Sequence, residues 1–428
     1  MLKLEQITPY TLLLDDRTAT FTRVLKSEPP RADYVELIVA DDQGRLSNKL
    51  MRLADQEHLR TVENHPHMKR DPAALLGCLL GGAVGDALGA PVEFMNWPEI
   101  SREFGTQGIA DFVPVYGQLG AITDDTQMML FTAEGLLRAY VRAEARGMCE
   151  PYAVIHHALL RWLLTQGMKT NPVPDRRGMV VKVGTDGWLF QERRLWSQRA
   201  PGNTCISALR ASDSFGHFAE NNSKGCGGVM RVAPCAFFGN AFDNAAKSSK
   251  LTHGHPTGYL AAGLFADILA RVWQTQITLA EAVKASLAEY GSLEGMHETT
   301  RIITAVLDYA QRGIIPNPES IEALGGGWIA EEALAIGLWC ALTAVSFEEG
   351  VMRAVNHSGD SDSTGLIAGH FLGLIHGVNA IPDRWLDNLE LRDVIEQIAS
   401  DMSYVPFAFF EDDDSPASTS IWERYPGW

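Results

Sequence analysis

The sequence lacks any cysteine spacing that would hold a zinc ion or a disulfide framework. Its six cysteines, Cys78, Cys149, Cys205, Cys226, Cys235 and Cys340, are scattered over 428 residues without a CxxC pair. A reducing compartment fits that usage best. Positive charge is also scarce: 36 Lys and Arg stand against 53 Asp and Glu, for a net charge of -17 and a pI near 5.1. A surface that tracks nucleic-acid phosphates is therefore not expected. No uninterrupted apolar run approaches the ~20 residues of a membrane-crossing helix. The opening Met1-Leu2-Lys3-Leu4-Glu5-Gln6 has no basic stretch leading into an apolar one. The expectation is a soluble, cytoplasmic protein with neither nucleic-acid nor membrane partners. What the chain does have is apolar residues, 46% of the total, enough for a large core.

Residues 1–70 read differently from the rest. Tyr10-Thr11-Leu12-Leu13-Leu14 and Tyr34-Val35-Glu36-Leu37-Ile38-Val39 are short β-rich runs between Asp-Asp, Glu-Pro-Pro and Asp-Asp-Gln-Gly turn signals, which predicts a small α+β N-terminal extension. The polar stretch from Asn64 ends at Asp71-Pro72, an N-cap followed by a first helical residue, and sets the start of a main domain over 71–410. From there the apolar pattern is helical. Met128, Met129, Phe131, Leu136, Leu137, Tyr140 and Val141 give 125–146 a broad buried face, and similar patterns run through 152–165, 256–273, 278–289, 297–312, 329–344 and 364–377. Helix packed on helix is the predicted class. The stretch 167–228 has little periodicity and reads as loops over a surface, where function concentrates. Residues 411–428 read as a tail, with the charge run Glu411-Asp412-Asp413-Asp414 before a short aromatic end.

Two helix starts carry more acid than a cap needs. Asp124 and Asp125 follow Thr123, and Asp360 and Asp362 flank Ser361 just before Ser363 and Thr364. A single Asp, Ser or Thr there is explained as an N-cap, helped by the helix dipole. Two acids and a hydroxyl at each place are costly unless a cation compensates them, and a hard divalent ion takes such oxygen ligands. Zinc fits less well, because no cluster of His or Cys lies beside these residues. His357 reads as a supporting hydrogen-bonding group. Two further blocks stand out. In Gly77-Cys78-Leu79-Leu80-Gly81-Gly82-Ala83-Val84-Gly85-Asp86-Ala87-Leu88-Gly89 the small residues suit close helix packing, and Glu93 follows Pro91, where that helix should end. In Ser223-Lys224-Gly225-Cys226-Gly227-Gly228-Val229-Met230-Arg231 the glycines expose backbone N–H groups able to cradle a phosphate, although no Walker sequence closes the loop.

In this order, and with Thr252-His253-Gly254-His255-Pro256 after the third, the blocks resemble the ADP-ribosylglycohydrolase family over roughly residues 73–400. The resemblance implies an all-α orthogonal helical bundle with a binuclear magnesium centre, manganese being the alternative, at the base of an ADP-ribose cleft. It implies Thr123, Asp124, Asp125, Asp360, Asp362 and Ser363 as ligands of two Mg2+ ions and Glu93 beside the distal ribose. Ser223, Lys224, Gly225, Cys226, Gly227, Gly228, Met230 and His253 would line the ADP-ribose. The sequence departs from the family in three places: Ser363 replaces a frequent Thr, Cys226 a frequent Asn, and Ala200-Pro201-Gly202-Asn203-Thr204 lacks an acid that one branch carries over its cleft. The implied reaction is removal of ADP-ribose from modified protein side chains, arginine first and serine second, with Glu93 or Asp360 taking a proton from water. A non-catalytic module of the same fold, binding ADP-ribose or a partner, is the alternative. Residues 1–70 are open to two readings. They could block an ADP-ribosyltransferase toxin, making the protein an immunity factor, or simply pack on the core or pair subunits.

Overall fold

The computed structural model describes residues 72–427, apart from 148, 172, 175–179, 182, 276 and 406–415, together with five strand backbones before them. The strands are β1 (Thr11–Leu14), β2 (Arg17–Leu25), β3 (Tyr34–Ala40), β4 (Leu46–Arg52) and β5 (Leu59–Thr61). They pair antiparallel in the order β4-β3-β2-β1-β5, with a bulge between Phe21 and Arg23. The two β-rich runs of the sequence fall in β1 and β3, and the described residues of the extension contain strands and no helix. Tyr10, the linker Asn64 to Asp71 and the acidic run 411–414 lie outside the described residues.

Apart from a short antiparallel pair, Val173–Pro174 with Val180–Val181, the regular elements of the rest are helices: α1 (Pro72–Gly89), α2 (Trp97–Phe104), α3 (Asp124–Arg146), α4 (Pro151–Thr165), α5 (Trp188–Gln191), α6 (Asn203–Ala211), α7 (Ala241–Lys250), α8 (Pro256–Thr275) and α9 (Leu279–Tyr290). There follow α10 (His297–Gln311), α11 (Pro318–Glu322), α12 (Ala330–Thr343), α13 (Phe347–Val355), α14 (Ser361–His376), α15 (Asp383–Leu386), α16 (Arg392–Tyr404) and α17 (Pro416–Arg424). No helix among the described residues is long and apolar enough to cross a membrane.

At the centre α1 and α14 lie antiparallel, backbone against backbone. Gly77, Gly81, Gly85 and Gly89 recur every four residues and so share one face of α1. A methyl group at these positions would land on the carbonyl oxygens of Gly373, Gly369, Gly365 and Ser361 respectively. Only residues without a Cβ permit that approach, which is why both helices carry the same four-residue spacing. From Leu79 to Ala90 nearly every residue is buried, as expected of a helix apolar all round. Helices α12 and α13 flank α14, and α16 flanks α1.

The aromatic C-terminal end docks on the helical core. Tyr425 is fully buried and donates to Asp401 at 2.7 Å, and Arg424 grips the same carboxylate through two nitrogens. Arg138 and Arg142 on α3 donate to the carbonyls of Pro426 and Gly427. Burying a large ring and satisfying those carbonyls holds this end in place.

Candidate metal centre

The glycine contact determines what meets at its end. Because α1 and α14 run antiparallel, the last turn of α1 lies over the first turn of α14, and the chain beyond Pro91 carries Glu93 there. One turn before that end, Asp86 is fully buried. It accepts the backbone N–H groups of Thr123 and Thr126, at 3.1 and 3.2 Å, and the Thr126 hydroxyl. Asp86 thereby ties the start of α3 to α1, and two Asp-rich segments more than two hundred residues apart become neighbours.

Capping does not account for their carboxylates. At α3 the cap is Thr123, whose hydroxyl accepts the N–H of Asp125 at 3.2 Å, leaving both Asp side chains free of that task. At α14 Asp360 stands at the cap position without a side-chain capping bond. The acids turn toward one another instead. Glu93, Asp360 and Asp362 each place a carboxylate oxygen within 4.8 Å of the other two. Ser363 donates to Asp125 across the two helix starts at 2.7 Å, and Gly202 N–H points at Asp124 from 3.4 Å. Thr123, Asp124, Asp125, Asp360, Asp362 and Ser363 are all at most 4% exposed. One Glu93 oxygen is buried without any hydrogen-bond partner. His357 supports α14 through Thr364, at 2.9 Å, and touches none of these acids.

Burial and mutual repulsion dominate the electrostatics. Desolvation, then the charges of Asp362 and Asp360, push Glu93 up to about 10. Desolvation and then Asp362 hold Asp124, Asp125 and Asp360 well above the usual carboxylate range, and Asp86 is raised to about 7. Among the described residues no Lys or Arg forms an ion pair with Glu93, Asp124, Asp125, Asp360 or Asp362. Buried like charges of this density are stable only when protonated or when a cation sits among them. An oxygen-rich donor set with one oxygen lacking a partner fits a hard divalent ion. Cys226 is the one sulfur at the edge, its thiol 2.7 Å from Asp360. Burial, then Asp360, raises that thiol well above its ordinary value, the opposite of what a nucleophile needs.

The glycine loop after Ser223 closes one side. Two of its amides are already used: Cys226 N–H donates to Trp328 O at 3.1 Å and Gly225 N–H to the Ser223 hydroxyl at 3.3 Å. Three residues expected to line a ligand have protein partners of their own. The Lys224 ammonium is held between Glu298 and Glu331, at 2.9 and 2.7 Å, so it braces the loop against α10 and α12. His253 is 1% exposed and lies beneath the loop, where side chains at Gly225, Gly227 or Gly228 would meet its ring. Burial and then Arg231 lower His253 to about 3, so it is neutral. Met230 is packed in the core. Arg231 is fully buried and donates to Gly227 O, Ser248 O and the Thr252 hydroxyl.

Asp86 and the residues at the rim carry no motif of their own in the sequence. Phe94, next to Glu93, is 73% exposed and stacks on the half-exposed Trp328, with ring centroids 6.0 Å apart. Near Asp124 the Arg199 guanidinium lies against the Tyr116 ring, 5.0 Å from its centroid. Only the adjacency of Phe94 to Glu93 was visible as a signal.

A family model for ADP-ribosylglycohydrolases matches residues 68–411. The chain is 26% identical over 332 residues to the ADP-ribosyl-[dinitrogen reductase] glycohydrolase of Rhodospirillum rubrum, covering 74% of this chain and 90% of that protein. It is 25% identical over 339 residues to the ADP-ribosylarginine hydrolase Tri1 of Pseudomonas putida, covering 76% of each. A solved ADP-ribosylglycohydrolase-related protein complex superposes with a TM-score of 0.56 at 26% identity, over 79% of this chain and 99% of its own. The all-helical core, the paired Asp-rich helix starts and the match over most of its length together make this chain a member of the ADP-ribosylglycohydrolase family.

Proposed function

We propose that this chain hydrolyses the bond between ADP-ribose and a modified arginine side chain of a protein, at a centre holding two Mg2+ ions, with Mn2+ as the alternative. The observation that carries the reading is the meeting of Glu93, Asp124, Asp125, Asp360 and Asp362 in a buried cluster with no protein cation paired to them. Thr123, Asp124, Asp125, Asp360, Asp362 and Ser363 would hold the ions. Such ions neutralise the acids, grip sugar hydroxyls and lower the pKa of water. The chain's own groups supply the rest. Glu93 takes a proton from the water that attacks the anomeric carbon, since its oxygen lies without a partner, whereas Asp360 already faces Cys226. The Ser223 to Gly228 loop cradles the diphosphate. Arginine is favoured as acceptor because the Pseudomonas putida relative is an ADP-ribosylarginine hydrolase, and six free cysteines suit a cytoplasmic setting.

The test is release of free ADP-ribose from arginine-ADP-ribosylated protein. Turnover that needs a divalent ion and is lost in Asp125→Ala and Asp360→Ala is expected. Binding of ADP-ribose without turnover by the wild type would favour the non-catalytic module instead.

The sheet β1–β5 lies outside the residues matched by the family, and it motivates a second proposal: residues 1–70 contact an ADP-ribosyltransferase and block it, as an immunity factor would. Full-length Asp125→Ala should still protect a target from the transferase, and a chain beginning at Asp71 with the same substitution should not. Equal protection by both overturns the idea.

A further inference from the structure

Tyr116 adopts a backbone conformation that its side chain disfavours. Val115 and Gln118 exchange both backbone hydrogen bonds, at 3.0 and 3.1 Å, and so close a two-residue hairpin over Tyr116 and Gly117. Both tip residues have positive φ, 52° and 85°. That is the geometry of the tightest hairpin turns. Glycine enters it freely, but a residue with a bulky side chain does so at a cost. Strained residues of this kind persist where their surroundings impose them, and they gather at functional sites.

The surroundings of Tyr116 are specific. Its ring, in a residue 40% exposed, has the Arg199 guanidinium 5.0 Å from its centroid. Arg199 is fixed by Glu390 at 3.1 Å, and the other Glu390 oxygen accepts the Ile122 N–H at 3.0 Å. The carbonyl of Arg199 accepts the Asp124 N–H at 3.1 Å. Ala200, the next residue, is also at positive φ, 56°. Two strained positions therefore flank one aromatic–guanidinium contact, and both segments are anchored to the start of α3. Arg199, which lies against the ring, also bonds Asp124 through its carbonyl, so the ring stands beside the acid cluster; burial, then the charges of Glu93, Asp362, Asp86 and Asp124, raise its hydroxyl above the ordinary value.

We propose, resting on the hydrolase reading above, that Tyr116 is a positioning residue on the acceptor side of the site, its ring stacking on the planar guanidinium from which ADP-ribose is released. The protein already lays one guanidinium against this ring, and the exposed remainder offers area for a second. A flat, delocalised, weakly hydrated cation gains from such a face, whereas a serine hydroxyl or a compact ammonium gains less. The Val115–Gln118 hydrogen bonds fix the backbone that carries the ring.

The experiment compares the wild type with Tyr116→Phe, Tyr116→Ala and Tyr116→Gly. It measures kcat and KM on arginine and serine conjugates of ADP-ribose, the Kd of free ADP-ribose, and the thermal midpoint. Tyr116→Ala should lower kcat/KM for the arginine conjugate about tenfold, chiefly through KM, with the Kd of free ADP-ribose changed by less than about twofold. Tyr116→Phe keeps the face and should stay within about threefold of the wild type. Tyr116→Gly should match Ala in kinetics yet raise the thermal midpoint, because glycine tolerates the left-handed turn. A purely structural residue would not separate those two readouts. The proposal is overturned if Ala and Gly keep wild-type kinetics on the arginine conjugate, or if free ADP-ribose loses affinity to the same degree. If the wild type turns over neither conjugate, the hydrolase reading fails by itself. Tyr116 is then judged by binding: tighter binding of the arginine conjugate than of free ADP-ribose, lost in Tyr116→Ala, supports it, and no such excess overturns it.

Discussion

The floor and the rim of the site are built on opposite principles. The floor is the α1–α14 pair, where glycines let two backbones touch and nothing can move without collision. The rim is made of loops: the 115–118 hairpin, the segment around Arg199 and the Ser223 to Gly228 loop. Their glycines have varied surroundings: Gly202 has open space around its Cβ position, while Gly228 lies against Ser249. The floor fixes where the carboxylates stand. The rim, which packs less uniformly, is where acceptor and nucleotide would be chosen.

Substitution at equivalent residue types should expose that difference most strongly. Gly85→Val drives a branched side chain into the Gly365 carbonyl and should cost about 3 kcal/mol or more in denaturant unfolding, with the acid cluster pulled apart. Gly202→Ala meets no atom within 4 Å, and its φ is -58°, so stability should shift by less than about 0.5 kcal/mol. Similar costs at both positions would erase the distinction.

Two buried histidines, His370 in the floor and His156 on α4, should also set how stability depends on pH. Burial lowers His370, packed against Gly82, to about 4, and His156 to about 3. Their folded-state values lie below the ordinary 6.5, so the unfolded chain binds protons first as pH falls. Stability is then lost from about pH 6.5 downward, at up to about 1.4 kcal/mol per pH unit for each histidine, until the folded values are reached. Urea midpoints between pH 7 and 4 should show this, with a shallower slope in His156→Gln. An unchanged slope contradicts it.

A smaller effect separates bracing from binding at the rim. Lys224→Met leaves Glu298 and the buried Glu331 without their cation and should cost about 1 kcal/mol. Affinity for ADP-ribose should hold within about threefold, because the ammonium faces those two carboxylates. A loss of a hundredfold would return Lys224 to the ligand.

The same division explains what could be read from residues alone. The long helices α3, α4, α8, α9, α10, α12 and α14 show as 3.6-residue periodicity, and the floor shows as glycines four apart. The excess acid at Thr123-Asp124-Asp125 and Asp360-Ser361-Asp362 was legible because a cap needs only one side chain. Their convergence was not, since it depends on Asp86 bonding to a segment 37 residues away and on antiparallel packing. The bracing role of Lys224 was not legible because its partners lie 74 and 107 residues further on. Tyr116 carried no signal, because Tyr-Gly is not the Asn-Gly or Asp-Gly pair that announces a tight hairpin. The docking of Tyr425 was not legible, because it depends on Asp401, 24 residues earlier.

The central claim is that the two helix starts are halves of one cation centre. Calorimetric titration of the full chain with Mn2+ and Mg2+, beside Asp125→Ala from one half and Asp360→Ala from the other, tests it most directly. The account predicts two ions bound by the wild type and a loss of affinity of at least about tenfold in both variants, roughly 1.4 kcal/mol or more. Wild-type affinity retained when either half is altered would contradict it.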